Sequence, residues 1–314
     1  MTKSHDKLHS SATPDTLQES NADSSNSDMF RLPVTVIVAA RNEAINIGRC
    51  LDSITQAVKI YVIDSASDDD TQKIAHEKGA EVVQFKFTGG YPRKRQWAID
   101  SLRIETPWIM LIDADESAPP ALWREIGATV KTDSISACTV KKEFHFQGKK
   151  FRFGGFSHSA VLMFRKGTAR FEELLTRCVD DGVDMEVHER LLVNGPIAHF
   201  RTPLCHNDFK SIEHYIRKHE NYAIWEAAVR VDVIRGQGSS CTIKPKLFGN
   251  IQERRRLLKS IVMRLPFEPA IWFIYHYFIR LGILEGYRGF LASKIRAQYI
   301  AKVRQHIHAI TRAS

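Results

Sequence analysis

The five cysteines of this 314-residue sequence are scattered, and no two of them have the C-x-x-C spacing of a zinc or redox motif. They are Cys50, Cys138, Cys178, Cys205 and Cys241. An odd number of isolated cysteines predicts reduced thiols in a cytoplasmic protein. The pattern therefore predicts neither a zinc site nor a disulfide framework.

An apolar signal segment is also missing. Residues 1–28 are dominated by Ser, Thr, Asn and Asp, so no cleavable secretory signal is expected. With so little to bury, this segment is predicted to be disordered. We predict a polar tail over residues 1–29, a catalytic domain over 30–240 and a basic, aromatic, helical segment over 241–314.

The most informative segment is 108–116, where an apolar run of strand length ends in three acidic residues. Asp113 and Asp115 are alternate residues and can point the same way from an extended chain. Two carboxylates at the end of a buried strand are costly unless a positive group lies between them. Mg²⁺ or Mn²⁺ carrying a nucleotide diphosphate fits this place. The alternative is a solvated junction between a strand and a loop.

The sequence upstream alternates strand-like and helix-like segments. Apolar, β-branched runs at 34–40, 60–63, 81–85 and 108–112 predict buried strands, and helical patterns lie between them. This order indicates a parallel sheet with right-handed crossovers. Ligands bind beyond the carboxyl ends of such strands, where the polar clusters 41–43, 64–70 and 113–116 fall. The coincidence predicts a nucleotide site.

Four motifs in this order resemble family 2 glycosyltransferases of the GT-A fold. They are Val-Ile-Val-Ala-Ala-Arg-Asn-Glu, Val-Ile-Asp-Ser, Lys-Arg-Gln-x-Ala and Leu-Ile-Asp-Ala-Asp-Glu. A Val-His-Glu element at 187–189 is similar to the bacterial branch that contains lipopolysaccharide-core glucosyltransferases. The resemblance implies an α/β, GT-A nucleotide-diphospho-sugar transferase fold, with a Rossmann-like, mainly parallel sheet and a helical, membrane-associating C-terminal extension.

The resemblance also implies roles for residues on the donor side. Those expected to bind the nucleotide sugar are Ala39, Arg41, Glu43, Asp64, Lys94, Arg95 and Asp113. Lys94 and Arg95 begin a predicted helix, where cationic side chains and free N–H groups favour phosphate. A solvated helix face is the alternative for this pair. Asp115 is the expected ligand of a divalent metal, Mg²⁺ or Mn²⁺, and Asp113 would contact the ribose or the metal through water.

The second half of the chain is expected to supply the acceptor side. An inverting transfer needs a carboxylate that deprotonates the acceptor hydroxyl opposite the leaving nucleotide, and Glu189 is the candidate base, with Asp113 as the other catalytic residue. His188 would position Glu189, bind phosphate or be structural. Residues 154–158 look like an acceptor loop or a simple turn. His206 is an optional metal ligand, although a core or surface histidine is the favoured interpretation.

The net charge of +9 is concentrated at the C-terminus, where residues 241–314 contain fourteen Lys and Arg against three acids. Aromatic and aliphatic neighbours make an anionic membrane surface the expected partner and argue against nucleic acid. The stretch 267–284 approaches spanning length, but charged residues and proline interrupt it, which favours shallow insertion. A stripe every four residues from Leu291 to Ile307 predicts an amphipathic helix that meets the membrane, the catalytic domain or both.

The sequence as a whole predicts a metal-dependent hexosyltransferase, peripheral on the inner face of the bacterial inner membrane. It would transfer a sugar to a glycan or lipid-linked acceptor in lipopolysaccharide core or other cell-envelope polysaccharide synthesis. The alternative is a non-catalytic nucleotide-binding or regulatory protein on a degenerate GT-A fold. The sequence does not indicate the donor sugar, the linkage or the oligomeric state.

Overall fold

The computed structural model describes residues 31–89, 91–173, 190–206, 211–235, 245–248 and 251–313. Its strands are β1 (Leu32–Ala40), β2 (Ala57–Asp64), β3 (Glu81–Gln84), β4 (Trp108–Asp113), β5 (Glu116–Ser117), β6 (Ala137–Lys142), β7 (His145–Phe146), β8 (Lys149–Lys150), β9 (His158–Arg165), β10 (Ala169–Phe171), β11 (Leu191–Val193), β12 (Ile197–His199) and β13 (Cys205–His206). Its α-helices are α1 (Ala44–Asp52), α2 (Thr71–Glu77), α3 (Lys94–Ser101), α4 (Pro120–Thr129), α5 (Ile212–Ile234), α6 (Ile251–Val262), α7 (Glu268–Ile274) and α8 (Tyr287–Ala313). A π-helical turn (Tyr275–Ile279) and a 3-10 turn (Gly282–Glu285) join α7 to α8.

A seven-stranded sheet in the order β12-β6-β9-β4-β1-β2-β3 forms the centre of the fold. β1 pairs in parallel with β2 and β4, whereas β9 runs antiparallel between β4 and β6. The predicted alternation of strands and helices is confirmed from β1 to β4. The predicted α/β class with a mainly parallel sheet is therefore confirmed, with β9 as a reversed strand inside it.

Both faces of the central strands are buried, as their apolar sequences predict. In β1, Val36 and Val38 face one core, and the intervening Ile37 faces the other. In β4, Met110 faces the first of these cores and Leu111 faces the second. This period of two places the backbone of β1 and β4 between two apolar layers, so polar side chains are confined to the strand ends.

The C-terminal helices pack on α5. Ala223 and Ala227 of α5 form a buried cluster with Tyr299, Ile300 and Val303 of α8. The apolar stripe predicted for the last helix therefore faces the protein, which was one of its two predicted partners. The small alanine side chains allow the two long helices to approach closely.

A buried ion network joins the same helices. Arg230 of α5 lies between Glu226, at 2.7 Å, and Glu268 of α7, at 2.9 Å. Lys259 of α6 contacts Glu226 at 3.1 Å, and the Tyr299 hydroxyl donates a hydrogen bond to the same carboxylate. Among the described residues, none of the helices is long and apolar enough to cross a membrane. The boundaries at 29/30 and 240/241 stay predictions.

Candidate active site

The carboxyl ends of β1, β2 and β4 bring the predicted donor residues to one edge of the sheet. In the strand register Ala39 is opposite Asp113, and Ala40 is opposite Asp64. Asp64 is fully buried, and its carboxylate accepts hydrogen bonds from the Ser67 backbone N–H at 2.9 Å and from Gln72 Nε2 at 3.0 Å. The local loop thus fixes the Asp64 side chain at this edge of the sheet.

Two loops at this edge are joined by hydrogen bonds between side chains and backbone. The N–H of Asn42, which adopts a left-handed φ of 55°, donates to Ser67 Oγ at 2.9 Å. The N–H of Glu43 donates to Thr71 Oγ1 at 2.8 Å. Asn and Asp tolerate the left-handed conformation better than most residues, which explains an asparagine at the turn. Arg41 lies exposed in this joined pair of loops.

Asp113 is held by two cations. The Lys142 ammonium lies 2.8 Å from Asp113 Oδ2, and the Arg95 guanidinium contacts Oδ1. Burial alone would raise the pKa of Asp113, but Arg95 and Lys142 hold it well below its usual range. The alternative of a solvated helix face is wrong for Arg95 and also for Lys94, which is buried at the start of α3.

Asp115, Glu116 and His206 converge beside this ion group. One potential ligand atom from each lies within 4.8 Å of the other two, and His206 Nε2 is 3.3 Å from Asp115 Oδ2. Burial would lower the pKa of His206, but the hydrogen bond and the charge of Asp115 raise it to about 8. His206 thus lies beside Asp115, as its interpretation as an optional metal ligand requires, and its binding of a metal stays a prediction. Pairing of β13 with β5, in which His206 is opposite Glu116, creates the contact.

Lys142, at the end of β6, is a site residue that the sequence analysis missed. Its buried ammonium is 2.6 Å from Glu116 Oε1, in addition to its contact with Asp113. Burial would lower the pKa of Lys142, but the two carboxylates raise it above its usual range. Glu116 Oε2 also accepts a hydrogen bond from the Asp113 backbone N–H at 3.0 Å. Glu116 thereby fixes the turn between β4 and β5.

The predicted acceptor residues are described only in part. Glu186, His188 and Glu189 lie outside the described residues, so the candidate base stays a prediction. In the 154–158 loop, Gly154 has a φ of 84°, a conformation that favours glycine. The Gly154 N–H donates to Arg280 O at 2.7 Å, and its carbonyl accepts from His276 Nδ1, also at 2.7 Å. This loop is thus fixed to the C-terminal segment.

The donor atoms of Asp115, Glu116 and His206 fit a divalent metal. Carboxylate oxygens suit hard cations such as Mg²⁺ and Mn²⁺, and an imidazole nitrogen is compatible with Mn²⁺ and the later transition metals. Asp115 and Glu116 are buried, and a divalent ion would offset the cost of placing these carboxylates together.

The sequence matches a protein-family model and several known proteins. Residues 35–180 match the family model described as glycosyl transferase family 2. An uncharacterized glycosyltransferase of Rickettsia felis is 27% identical over 283 residues, which cover 87% of this chain and 90% of that protein. A lipopolysaccharide core biosynthesis glycosyltransferase of Rhizobium meliloti is 24% identical over 277 residues, 86% of this chain and 89% of that protein.

A solved structure was also found, the crystal structure of Mycobacterium tuberculosis glucosyl-3-phosphoglycerate synthase with Mn²⁺, uridine diphosphate and glucosyl-3-phosphoglycerate. It is 24% identical with a TM-score of 0.30, and the match covers 37% of this chain and 44% of that chain, less than half of either. The residues that match the family model form most of the mainly parallel sheet and the edge that carries the carboxylates. This is the GT-A arrangement. Residues 35–180 are thus identified as a glycosyl transferase family 2 domain.

Proposed function

We propose that this protein is a metal-dependent, inverting hexosyltransferase that moves a sugar from a nucleotide-diphosphate donor to a glycan or lipid-linked acceptor. The convergence of Asp115, Glu116 and His206 beside Asp113 at the carboxyl edge of the sheet carries the proposal. Family membership supports the transfer reaction. Similarity to the Rhizobium meliloti protein supports a place in lipopolysaccharide core or other cell-envelope polysaccharide synthesis.

The ion pairs support different roles for the two aspartates. Asp113 is already neutralised by Arg95 and Lys142, so it has little remaining charge to offer a metal. Asp115 is opposed by His206, itself a metal-ligand type, and we assign these two residues as protein ligands of a Mg²⁺ or Mn²⁺ ion. The bound metal would stabilise the nucleoside diphosphate as it leaves. Asp113 would contact the ribose or a metal-bound water.

The remaining donor contacts follow from the loops at the same edge. The fixed position of Asp64 in its own loop supports a contact with the base or ribose, to which Arg41 and Glu43 of the neighbouring loop would add. Lys94 and Arg95 at the start of α3 provide positive charge for the diphosphate. Together they would hold the donor with its sugar directed away from the sheet edge, toward the acceptor.

The base would come from the acceptor side. We assign Glu189 to this role because inversion requires a carboxylate on the face opposite the leaving group, and Glu189 belongs to the Val-His-Glu element. Its proton acceptance would activate the incoming sugar hydroxyl as the bond to the nucleotide breaks.

An exposed apolar surface supports a membrane-bound acceptor. Between α7 and α8, Phe278, Ile279, Leu281, Ile283, Leu284 and Tyr287 are all exposed. We define these six residues as the apolar corner; Arg280 and Arg288, both exposed, lie next to them in the sequence. Single exposed apolar residues are normal, but a contiguous group with basic neighbours is typical of an interfacial membrane site. We propose peripheral attachment at this corner to the anionic inner face of the bacterial inner membrane, which liposome flotation tests.

Asp115→Asn tests the metal site. The variant keeps the size of the side chain but removes the charge, so we expect donor binding in Mn²⁺ to weaken at least tenfold, a loss of about 1.4 kcal/mol. Calorimetry with uridine, guanosine and adenosine diphosphates and their sugars, in Mn²⁺ and in chelator, measures it. Asp133→Asn, at a fully exposed carboxylate, is the matched control and should bind as wild type.

The outcomes separate the alternatives. Equal binding of the wild type in Mn²⁺ and in chelator would show that the metal dependence is wrong. Metal-dependent binding without hydrolysis or transfer of any nucleotide sugar, across a panel of acceptors that includes lipopolysaccharide core, would instead favour the non-catalytic nucleotide-binding protein.

A further inference from the structure

A second group of side chains that can bind a metal lies on the other side of β13 from Asp115, Glu116 and His206. Glu143, His145 and Cys205 are half-buried, and one potential ligand atom from each lies within 4.8 Å of the other two. Cys205 and His206 are adjacent in β13, and successive residues of a strand point to opposite sides. β13 therefore directs His206 to the Asp115 group and Cys205 to this second group. No zinc site was predicted from the sequence, because no two cysteines have the C-x-x-C spacing.

Backbone hydrogen bonds hold the three residues in place. The Glu143 N–H donates to Leu204 O at 3.0 Å, and the Leu204 N–H donates to Lys141 O at 2.9 Å. The segment that carries Glu143 and His145 is thus fixed against the residue before Cys205. A ligand group that is placed by backbone contacts loses little conformational entropy when it binds an ion.

A hydrogen bond to the backbone leaves one ring nitrogen of His145 for a ligand. His145 Nδ1 is 3.0 Å from the carbonyl oxygen of His206. A carbonyl only accepts, so Nδ1 carries the proton and Nε2 keeps its lone pair for a ligand. A ring N–H that donates to a backbone carbonyl is the usual outer-shell support of a metal-binding histidine.

We propose that Glu143, His145 and Cys205 form a second metal site, selective for Zn²⁺ or a similar borderline ion, with water in the fourth position. A thiolate, an imidazole and a carboxylate are the ligands of tetrahedral zinc, whereas Mg²⁺ and Mn²⁺ prefer oxygen. Bonds of about 2.0–2.3 Å place tetrahedral ligand atoms roughly 3.3–3.8 Å apart, so the observed group needs only a small contraction.

Binding would cost little in existing contacts. Glu143 is ion-paired with Lys150, whose side chain is 54% exposed, and exposed ion pairs contribute at most about 1 kcal/mol. A carboxylate has two oxygens, so Glu143 can keep this contact while it binds the ion. On binding, Zn²⁺ replaces the proton of the Cys205 thiol, which is released to solvent.

Cobalt substitution tests the site in the full-length protein. Co²⁺ at a thiolate site gives a near-ultraviolet charge-transfer band, and the Asp115 group contains no sulfur and cannot produce it. We expect the band in wild type, its loss on addition of Zn²⁺, and its absence in Cys205→Ser. His145→Ala should weaken Co²⁺ binding at least about 10- to 100-fold, since loss of outer-shell support alone has that effect.

Controls separate this site from the catalytic one and from other thiols. Asp115→Asn, Cys178→Ser and Cys241→Ser should all keep the band. Because the site does not depend on the transfer reaction, its failure would leave the proposed function intact.

A second readout does not depend on spectroscopy. Zn²⁺ should slow iodoacetamide alkylation of Cys205, measured by peptide mass spectrometry, in wild type and not in His145→Ala. A missing charge-transfer band in folded wild type, or a band that survives in Cys205→Ser, would overturn the proposal. Equal alkylation of Cys205 with and without Zn²⁺ would do the same.

Discussion

At the scale of single residues, Lys142 balances the charge of the site. Its side chain is 9% exposed and contacts both Asp113 and Glu116, which has no exposed side-chain surface. A buried carboxylate without a positive partner is strongly destabilising, and here two would lose the same partner. Arg95 would still contact Asp113, but Glu116 has no other cation within ion-pair distance among the described residues.

Lys142→Met should therefore destabilise the whole protein. Breaking a buried ion pair from one side costs about 3–5 kcal/mol, and we expect a loss in this range in the free energy of unfolding measured with urea. Lys78→Met is the matched control, since Lys78 pairs with Asp52 on the surface and should change stability by less than about 1 kcal/mol. Equal effects of the two substitutions would show that Lys142 does not balance buried charge.

Glu189→Gln should have a purely kinetic effect. The substitution removes the proposed base with little change in size, so donor affinity should persist while the transfer rate falls by roughly a hundredfold or more. Initial rates and calorimetric donor binding, measured on the same preparation, separate the two. Glu186→Gln is the control; if it alone loses the rate, the base is Glu186, and if both retain it, the base lies elsewhere.

Only part of this site was predictable from sequence. Asp113 and Asp115 can be recognised from the local sequence, because two acidic residues at alternate positions follow an apolar run. Lys142 is 29 positions from Asp113, and His206 is 91 positions from Asp115, in segments without a distinctive pattern. Their contribution depends on the pairing of β5 with β13 and on the place of β6 in the sheet, which no local signal specifies.

At the scale of secondary-structure elements, the parallel strands were predictable and the reversed strand was not. β1, β2 and β4 are long or strongly apolar, and helical patterns separate the strands from β1 to β4, so their direction follows from the crossovers. β9 is equally apolar, but its insertion between β4 and β6 depends on pairings far apart in sequence. Hydrophobic periodicity identifies a strand but does not determine which other strands pair with it.

The C-terminal helices show the same limit. Their basic residues were expected to meet lipid headgroups, but Lys259 contacts the buried Glu226, Lys302 pairs with Glu220 and Arg304 donates to the Leu265 carbonyl. These three side chains have partners within the protein, which charge counts do not reveal, and their contact with headgroups stays a prediction. Arg280 and Arg288, beside the apolar corner, are exposed instead.

Ile279→Glu combined with Leu284→Glu tests the apolar corner. The two side chains are 66% and 60% exposed, so the charges should not disturb the fold. Burial of each aliphatic side chain contributes about 1.5–3 kcal/mol, so partitioning into anionic liposomes should weaken more than tenfold in a flotation assay. Ile45→Glu, at an 85% exposed position in α1, is the control and should float as wild type. Absence of flotation in wild type, or no change in the double variant, would contradict membrane attachment.

At the scale of the whole molecule, hydrogen bonds join the segment that carries the apolar corner to the backbone of residues 152–154. Glu285 Oε1 accepts hydrogen bonds from the N–H groups of Arg152 and Phe153 at 2.7 and 2.9 Å. His276 holds the Gly154 carbonyl. The segment that would meet the membrane therefore also positions the loop before β9, whose partner strands end at the proposed site.

The His276 contact predicts how stability depends on pH. The buried imidazole stacks with Phe156 and Trp272, at centroid distances of 4.6 and 5.6 Å. Burial lowers its pKa to about 4; the Gly154 hydrogen bond raises it, and the charges of Arg296 and Arg280 lower it further. An unfolded histidine has a pKa of about 6.5, so below that pH the unfolded state binds a proton that the native state does not. This contribution to stability therefore falls as the pH decreases from about 6.5 to about 4.

His276→Gln should remove that dependence. Glutamine can still donate a hydrogen bond but does not titrate, so the variant should lose less stability on acidification than wild type, by as much as about 3 kcal/mol at the acid limit. Urea unfolding of both proteins at several pH values between 7 and 4.5 gives the difference, and the titration of carboxylates common to both proteins cancels. Parallel stability curves would mean that His276 is already protonated, or solvated, in the native protein. Such a result would remove His276 as the neutral link between residues 152–154 and the apolar corner.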